Sequence, residues 1–265
     1  MYLKKLNPTS SGTRHQFNLM KNILSKNNNI AKKLTFKIKI KAGRSIKTGQ
    51  ITVRHKGGGC KKQFKKIKFN SFFTKNIILM VNYDAYRNSF ISLNFDFLVK
   101  KFFFSTSVQG LLPGSLITSS KKNLDLFLGN STFLFNFPIS AFIHNVHKKN
   151  YIKSLAIFSR AAGTYCQIIQ KYKNQIQICL PSGRFIFIKS DTFAALGKVS
   201  NTKFNLRVLG KAGKNRLKGC KPKVRGIAMN PIDHPHGGRT NGGRPSVSPW
   251  GKLTKGKKTV KKKNG

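Results

Sequence analysis

Apolar and polar positions alternate with a period of two through the middle of the 265-residue chain. Ile176, Ile178 and Leu180 alternate with Gln and Cys, and Phe185 and Phe187 do the same before Lys189. Phe133, Phe135 and Phe137 alternate with Leu134 and Asn136. Successive side chains leave a strand on opposite faces, so this pattern of β-branched and aromatic residues predicts short strands. Turn signals at Pro113–Gly114, Gly129–Asn130 and Ser182–Gly183 separate the runs. A weaker, basic alternation covers Thr35–Lys41. No amphipathic pattern longer than two or three helical turns occurs, so the expected class is all-β, with room in the middle for two small barrels.

Charge changes this picture. The chain carries 52 Lys or Arg against five acids, all Asp, a formal net charge of +47. Residues 1–75 hold 20 basic residues and no acid, residues 76–198 hold 14 against four, and residues 199–265 hold 18 against one. Aromatics run the other way: 15 of the 22 Phe fall in residues 76–198. The layout is a hydrophobic middle between two basic arms. The arms are poor in apolar residues, and the second is rich in Gly and Pro. They lack the burial needed to offset ordering entropy and are expected to take shape only against a polyanion. Few carboxylates weaken most acid–base and metal-hydrolytic enzyme classes. No run approaches the roughly 18–20 apolar residues of a spanning helix, so no membrane partner is expected. Four scattered cysteines without a CxxC pair disfavour a disulfide framework or zinc knuckle.

Three runs look chemical. Arg54-His55-Lys56-Gly57-Gly58-Gly59-Cys60-Lys61-Lys62 packs five cationic residues around three glycines, a composition suited to phosphate contact through backbone N–H groups. It lacks Walker A spacing. Asp233-His234-Pro235-His236-Gly237-Gly238 offers a possible metal pair or general base. It has no third ligand, no nucleophile elbow and cationic flanks, which favours a structural or base-stacking role. Arg160-Ala161-Ala162-Gly163-Thr164-Tyr165 places small residues beside an arginine. His144 and His147 read as core or surface histidines. No cofactor, metal or catalytic residue is expected.

Several runs together resemble the universal L-two family of large-subunit ribosomal proteins. Leu206–Thr259 is similar to the family's C-terminal extension almost throughout, and Asn7–His15 and Gly43–Gln63 are similar to its N-terminal region. Val81–Leu93, Ser159–Ile169 and Leu180–Asn201 are similar to its globular part. The resemblance implies an OB-like barrel followed by an SH3-like barrel, with long irregular basic extensions at both ends. The corresponding segments are a basic extension at 1–59, an OB-like barrel at 60–122, an SH3-like barrel at 123–198 and a basic extension at 199–265. It further implies a non-enzymatic ribosomal constituent that binds large-subunit rRNA, meets neighbouring ribosomal proteins and the small subunit, and supports the peptidyl transferase region.

Arg87 and Arg160 fall at family rRNA-contact arginines, and Met229–Gly238 carries the histidine that the family associates with peptidyl transfer, either His234 or His236. The other candidate RNA contacts within the matched runs begin with Arg14, His15, Arg44, Arg54, His55, Lys56, Gly57, Gly58, Gly59, Lys61 and Lys62. They continue in the C-terminal part with Lys211, Lys214, Arg216, Arg225, Asn230, Arg239, Arg244, Trp250, Lys252, Lys255, Lys257 and Lys258. Three departures stand out: Cys60 replaces the His of the family's GGGHK motif, Arg239 follows HPHGG where the family has Glu, and residues 148–158 lack its Gly/Lys-rich loop.

Phe, Lys, Asn and Ile make up 109 of the 265 residues, and Lys outnumbers Arg 41 to 11. Arg would bind phosphate better bidentately, so an A/T-rich genome explains the skew better than chemistry. With the NPTS motif already at residue 7, a mitochondrial ribosome is expected, or else a plastid one.

Overall fold

The computed structural model describes residues 3–20, 24–25, 29–38, 42–69, 74–120, 125–147, 156–239 and 243–256. Two compact units divide the chain: Met1–Lys39 with Cys60–Lys214, and Ile40–Gly59 with Asn215–Gly265.

Unit 1 is built from strands, as the period-two pattern predicts. Its strands are β1 (Leu3–Lys5), β2 (Phe17–Leu19), β3 (Thr35–Lys37), β4 (Gln63–Lys65), β5 (Thr74–Asn82), β6 (Ile91–Asp96), β7 (Lys101–Thr106) and β8 (Leu116–Ser119). The series continues with β9 (Ser131–Phe133), β10 (Phe142–His144), β11 (Val146–His147), β12 (Ala156–Phe158), β13 (Cys166–Lys171), β14 (Gln175–Cys179), β15 (Phe185–Lys189) and β16 (Phe193–Leu196). Ten of them form one sheet in the order β15-β14-β13-β10-β16-β9-β8-β5-β6-β7.

The OB-like half, around β5–β8, buries Ile91, Leu93 and Phe104 with Ile67 and Ala31. Ala31 comes from a short helix, α1 (Asn29–Lys33), with Ile30 and Leu34 packed beside it. Part of the basic N-terminal region thus contributes apolar side chains to this unit. The SH3-like half buries Leu134, Phe137, Ile143, Val146, Ile168, Ile176, Ile178 and Ile188. A single parallel bridge, Ser119↔Ser131, joins the two halves within the sheet.

Two local readings differ from the alternation. The strand over Phe133–Phe137 stops at Phe133, and Leu134–Asn136 forms a 3₁₀ turn. Leu134 and Phe137, three apart, are fully buried while Phe135 is half exposed. Burial at i and i+3 satisfies the core with a turn where a strand would have split those two side chains between faces. In β15, Ile186 and Ile188 face inward and Phe185 and Phe187 face out. Only Thr35–Lys37 of the basic alternation is a strand; residues 39–41 lie outside the described residues, as do 148–155.

Among its described residues, unit 2 has no strand or core of this kind. None of the buried hydrophobic side chains of the described chain belongs to it. Ile46, Leu217, Val224, Trp250 and Leu253 are exposed, and Ile232 is 93% exposed. Turns and backbone hydrogen bonds hold its local shape, and its sequence carries 19 Lys or Arg against one acid, Asp233. A segment so charged and so poor in burial lacks an internal driving force to fold.

Candidate nucleic-acid interface

In unit 1 the two arginines singled out by the resemblance line the same groove. Arg87 and Arg160, 73 residues apart in sequence, line one open groove of about 610 Å³ together with Phe69, Asn88, Ile157 and Thr164. Arg87 is held rigidly: its Nη1 donates to Asp84 Oδ2 at 2.8 Å and to the Lys65 carbonyl at 3.1 Å. Its guanidinium lies 5.2 Å from the Phe64 ring. Asp84 is fully buried, and its Oδ1 accepts the Tyr86 N–H at 2.8 Å. Burial pushes the Lys65 ammonium below its ordinary range, and Asp84 partly offsets this. Lys65 donates to the Tyr83 carbonyl at 2.9 Å.

Arg160 differs. It is exposed, 5.6 Å from the Phe69 ring, so its fork remains open to an outside acceptor. The small residues after it serve the chain itself. Gly163 sits at φ +71°, where a Cβ would lie 2.8 Å from Thr202 Cα.

Further cations surround this unit. Arg14 and His15 are exposed on the turn whose Thr13 caps Ser10. The stem of Lys211 lies against Gly12. Lys214 has its ammonium pushed down by desolvation and by its like-charged neighbours Arg207 and Lys211. Such crowding is relieved by an anion. Lys61 is exposed, and Lys62 stands 5.9 Å from the Tyr86 ring.

In unit 2 the glycine run is a backbone crossing. Gly57 N–H donates to the Gly219 carbonyl at 3.0 Å, and Lys221 N–H donates to the His55 carbonyl at 2.9 Å. His55 Nδ1 donates to the Pro222 carbonyl at 2.9 Å, and Lys56 pairs with Cys220 as an isolated bridge. A Cβ at Gly59 would lie 2.7 Å from Gly219 N and Leu217 O. Close approach here is to the protein's own main chain. Gly58, at φ +63°, is the member of the run that faces open space.

Asp-His-Pro-His-Gly-Gly forms a staple. Asn230 O accepts from Asp233 N–H at 3.0 Å and His234 N–H at 3.3 Å. His234 is buried, its Nδ1 accepts the His236 N–H at 3.0 Å, and Gly226 packs on its ring so closely that a Cβ would come within 2.6–2.8 Å of it. His236 Nε2 lies 2.7 Å from the Pro245 carbonyl, a contact that requires the proton on that nitrogen. Val247 N–H points at the same atom at 3.3 Å; the shorter contact is the hydrogen bond we assign. Arg244 Nη1 donates to the carbonyls of Pro235 and Gly237, both at 2.8 Å. The two imidazoles thus serve the loop. Among the described residues no group of three or more His, Cys, Asp or Glu is placed to hold a metal ion.

The remaining candidates of this unit sit on its surface. Arg44 Nη1 donates to Gly49 O at 3.1 Å, Arg54 lies 5.5 Å from the exposed Trp250 ring, and Arg216 reaches Cys220 O at 3.5 Å. Arg225, Asn230, Arg239, Lys252 and Lys255 are exposed, and Lys257 and Lys258 lie outside the described residues. Sequence reasoning missed Asp84, Gly226 and Arg207. All three lie within matched runs, but only tertiary contact reveals what Asp84 and Gly226 do.

Comparison with known families agrees with this basic, core-poor surface. The family model "Ribosomal Proteins L2, RNA binding N-terminal domain" matches residues 31–119, and "Ribosomal Proteins L2, C-terminal domain" matches residues 128–255. The large ribosomal subunit protein uL2 of Wolbachia sp. subsp. Brugia malayi (strain TRS) is 39% identical over 99% of this chain and 95% of its own. Those of Blochmanniella pennsylvanica and Aliarcobacter butzleri are 40% identical over 98% and 87% of this chain, and over 94% and 84% of their own. All three organisms are bacteria. Two family models covering most of the chain, and near-full-length relatives at this identity, establish that the chain belongs to the L2 family of large-subunit ribosomal proteins.

Proposed function

We propose that this chain is a structural, non-catalytic constituent of the large subunit of an organellar, mitochondrial ribosome. It binds large-subunit rRNA through its basic surfaces, supports the peptidyl transferase region and takes part in subunit association. One observation carries the reading: unit 2 combines 19 Lys or Arg and one acid with no buried hydrophobic side chain among its described residues. Such a unit gains a fixed shape when phosphates neutralise it. The candidate residues named above, from Arg14 to Lys258, are the proposed contacts, with Arg87 and Arg160 gripping one RNA segment in their shared groove. The 1–59 and 199–265 extensions act as the RNA-embedded parts, and the 60–122 and 123–198 barrels as the folded body.

The reading is supported by the A/T-coded composition for its organellar part, and by the internal use of both loop histidines for its non-catalytic part. Neutralising on the order of 10 phosphates gives a steep ionic dependence, several decades of affinity over a fourfold salt increase. A salt titration of the full chain on its own large-subunit rRNA tests this, and a flat curve refutes it. Labelling in isolated organelles with cytosolic translation blocked tests the compartment: the chain should be labelled there.

A further inference from the structure

The ten-stranded sheet has two edges, and they are treated differently. At the β7 edge, Ile67 bridges Phe104 and Lys68 N–H donates to the Phe104 carbonyl at 2.8 Å. At the other edge, β15 has no neighbour beyond β14 among the described residues. Its pairing with β14 is regular over five consecutive residue pairs, without bulge or proline. The flanking bonds, Leu180 N–H to Arg184 O at 2.9 Å and Ser190 N–H to Asn174 O at 3.1 Å, fix its phase. Ile186 and Ile188 direct their backbone groups to β14, and Phe185 and Phe187 direct theirs outward.

The side chains on this edge are unusual for so basic a protein. Phe185 and Phe187 are each 59% exposed, Tyr172 packs its ring 5.9 Å from Phe187, and Gln177 stands opposite Phe187. Among the described residues, cations sit around the rim, at Arg184, Lys189 and Lys173, all exposed. Natural sheets blunt free edges with inward charges, bulges or proline; this one presents aromatics.

We propose that the β15 edge is a docking site for an extended segment of a neighbouring ribosomal protein, which adds a strand beside Phe185–Lys189. The occupant's apolar residues cover Phe185 and Phe187, and its acidic residues meet Arg184, Lys189 and Lys173. A strand matches an edge that offers both N–H donors and carbonyl acceptors. Phosphates only accept and leave the outward carbonyls of Phe185 and Phe187 unmatched, and a second copy of a +47 chain is repelled. The proposal rests on the reading of this chain as a large-subunit constituent.

The test compares amide exchange of the full chain bound to its rRNA alone with exchange in the purified large subunit. Slow exchange of Ile186 and Ile188 in both states reports that β15 is folded. The Phe185 and Phe187 amides should exchange fast on rRNA alone and slow by roughly 100-fold in the subunit. A benzophenone-bearing residue at position 187 should then crosslink to a protein segment that alternates apolar and acidic residues. Crosslinking to rRNA, crosslinking to a second copy, protection already complete on rRNA alone, or unprotected edge amides in the subunit would each overturn the proposal. Absence of the chain from the particle removes the subunit reading as well, so the two failures are distinct.

Discussion

Asp84 is the buried anchor of Arg87 beside the Arg87–Arg160 groove, and removing it tests how that groove is held. Its carboxylate is fully buried and accepts from Tyr86 N–H and Arg87 Nη1, both at 2.8 Å, while the Arg87 side chain is 27% exposed. Asp84→Ala removes two charge-assisted hydrogen bonds and leaves a mostly buried guanidinium short of its partner. Breaking a buried pair costs about 3–5 kcal/mol. Water reaching Arg87 brings the expected loss to about 3 kcal/mol. Asp84→Asn keeps an acceptor for Tyr86 N–H and should cost about half as much. For a unit of this size, 3 kcal/mol lowers the melting temperature by roughly 6–12 °C. Thermal unfolding of the full chain, followed by circular dichroism, measures it. Arg160→Ala is the matched control: exposed and without a carboxylate partner, it should leave the melting temperature within about 1 °C and reduce the salt slope of rRNA binding by about one. An Ala variant as stable as the wild type, or an Asn variant as damaging as Ala, would refute this role for Asp84.

Three further outcomes are expected. Gly237→Ala places a Cβ 2.3 Å from Asn230 O and 2.6 Å from Met229 O, both main chain; it should open the His234–His236 loop, read as new protease cleavage within Met229–Gly238 on the rRNA-bound chain. His144, fully buried with Nδ1 3.1 Å from Gly197 O, has its pKa lowered to about 4 by burial. The unfolded chain binds the proton first, so stability is full above about pH 6.5 and falls by up to about 3 kcal/mol as pH drops to 4; denaturant melts should lose that component in His144→Gln. Replacing His234 and His236 together by Gln should reduce incorporation into subunits yet leave the peptide-bond rate of assembled particles unchanged, and a slowed rate in fully assembled particles would contradict the non-catalytic reading.

Legibility followed local physics. β14 was readable because Ile176 and Ile178 alternate with polar neighbours and face one core. The Phe133–Phe137 segment was misleading because aromatic residues fill both registers, and burial of Leu134 and Phe137 depends on packing that no alternation encodes. The outward turn of Phe185 and Phe187 was hidden for the same reason, since β15 carries apolar residues on both faces. Charge segregation was legible from composition alone, but the placing of Arg87 and Arg160 in one groove was not, because residues 73 apart in sequence share a groove only through the fold. The glycines of 57–59 were visible as a motif, and their close contact proved to be with Leu217 and Gly219.

Ionic ordering of the core-poor unit is tested most directly by limited proteolysis of the full chain with and without its large-subunit rRNA, followed by mapping of the fragments. Residues 74–120 and 156–214 should resist cleavage in both conditions, while 42–59 and 215–256 should be cut rapidly in free protein and become resistant only when RNA is bound. Resistance of 215–256 without RNA, at low protease and low salt, would show that this unit folds on its own and would contradict the ionic account.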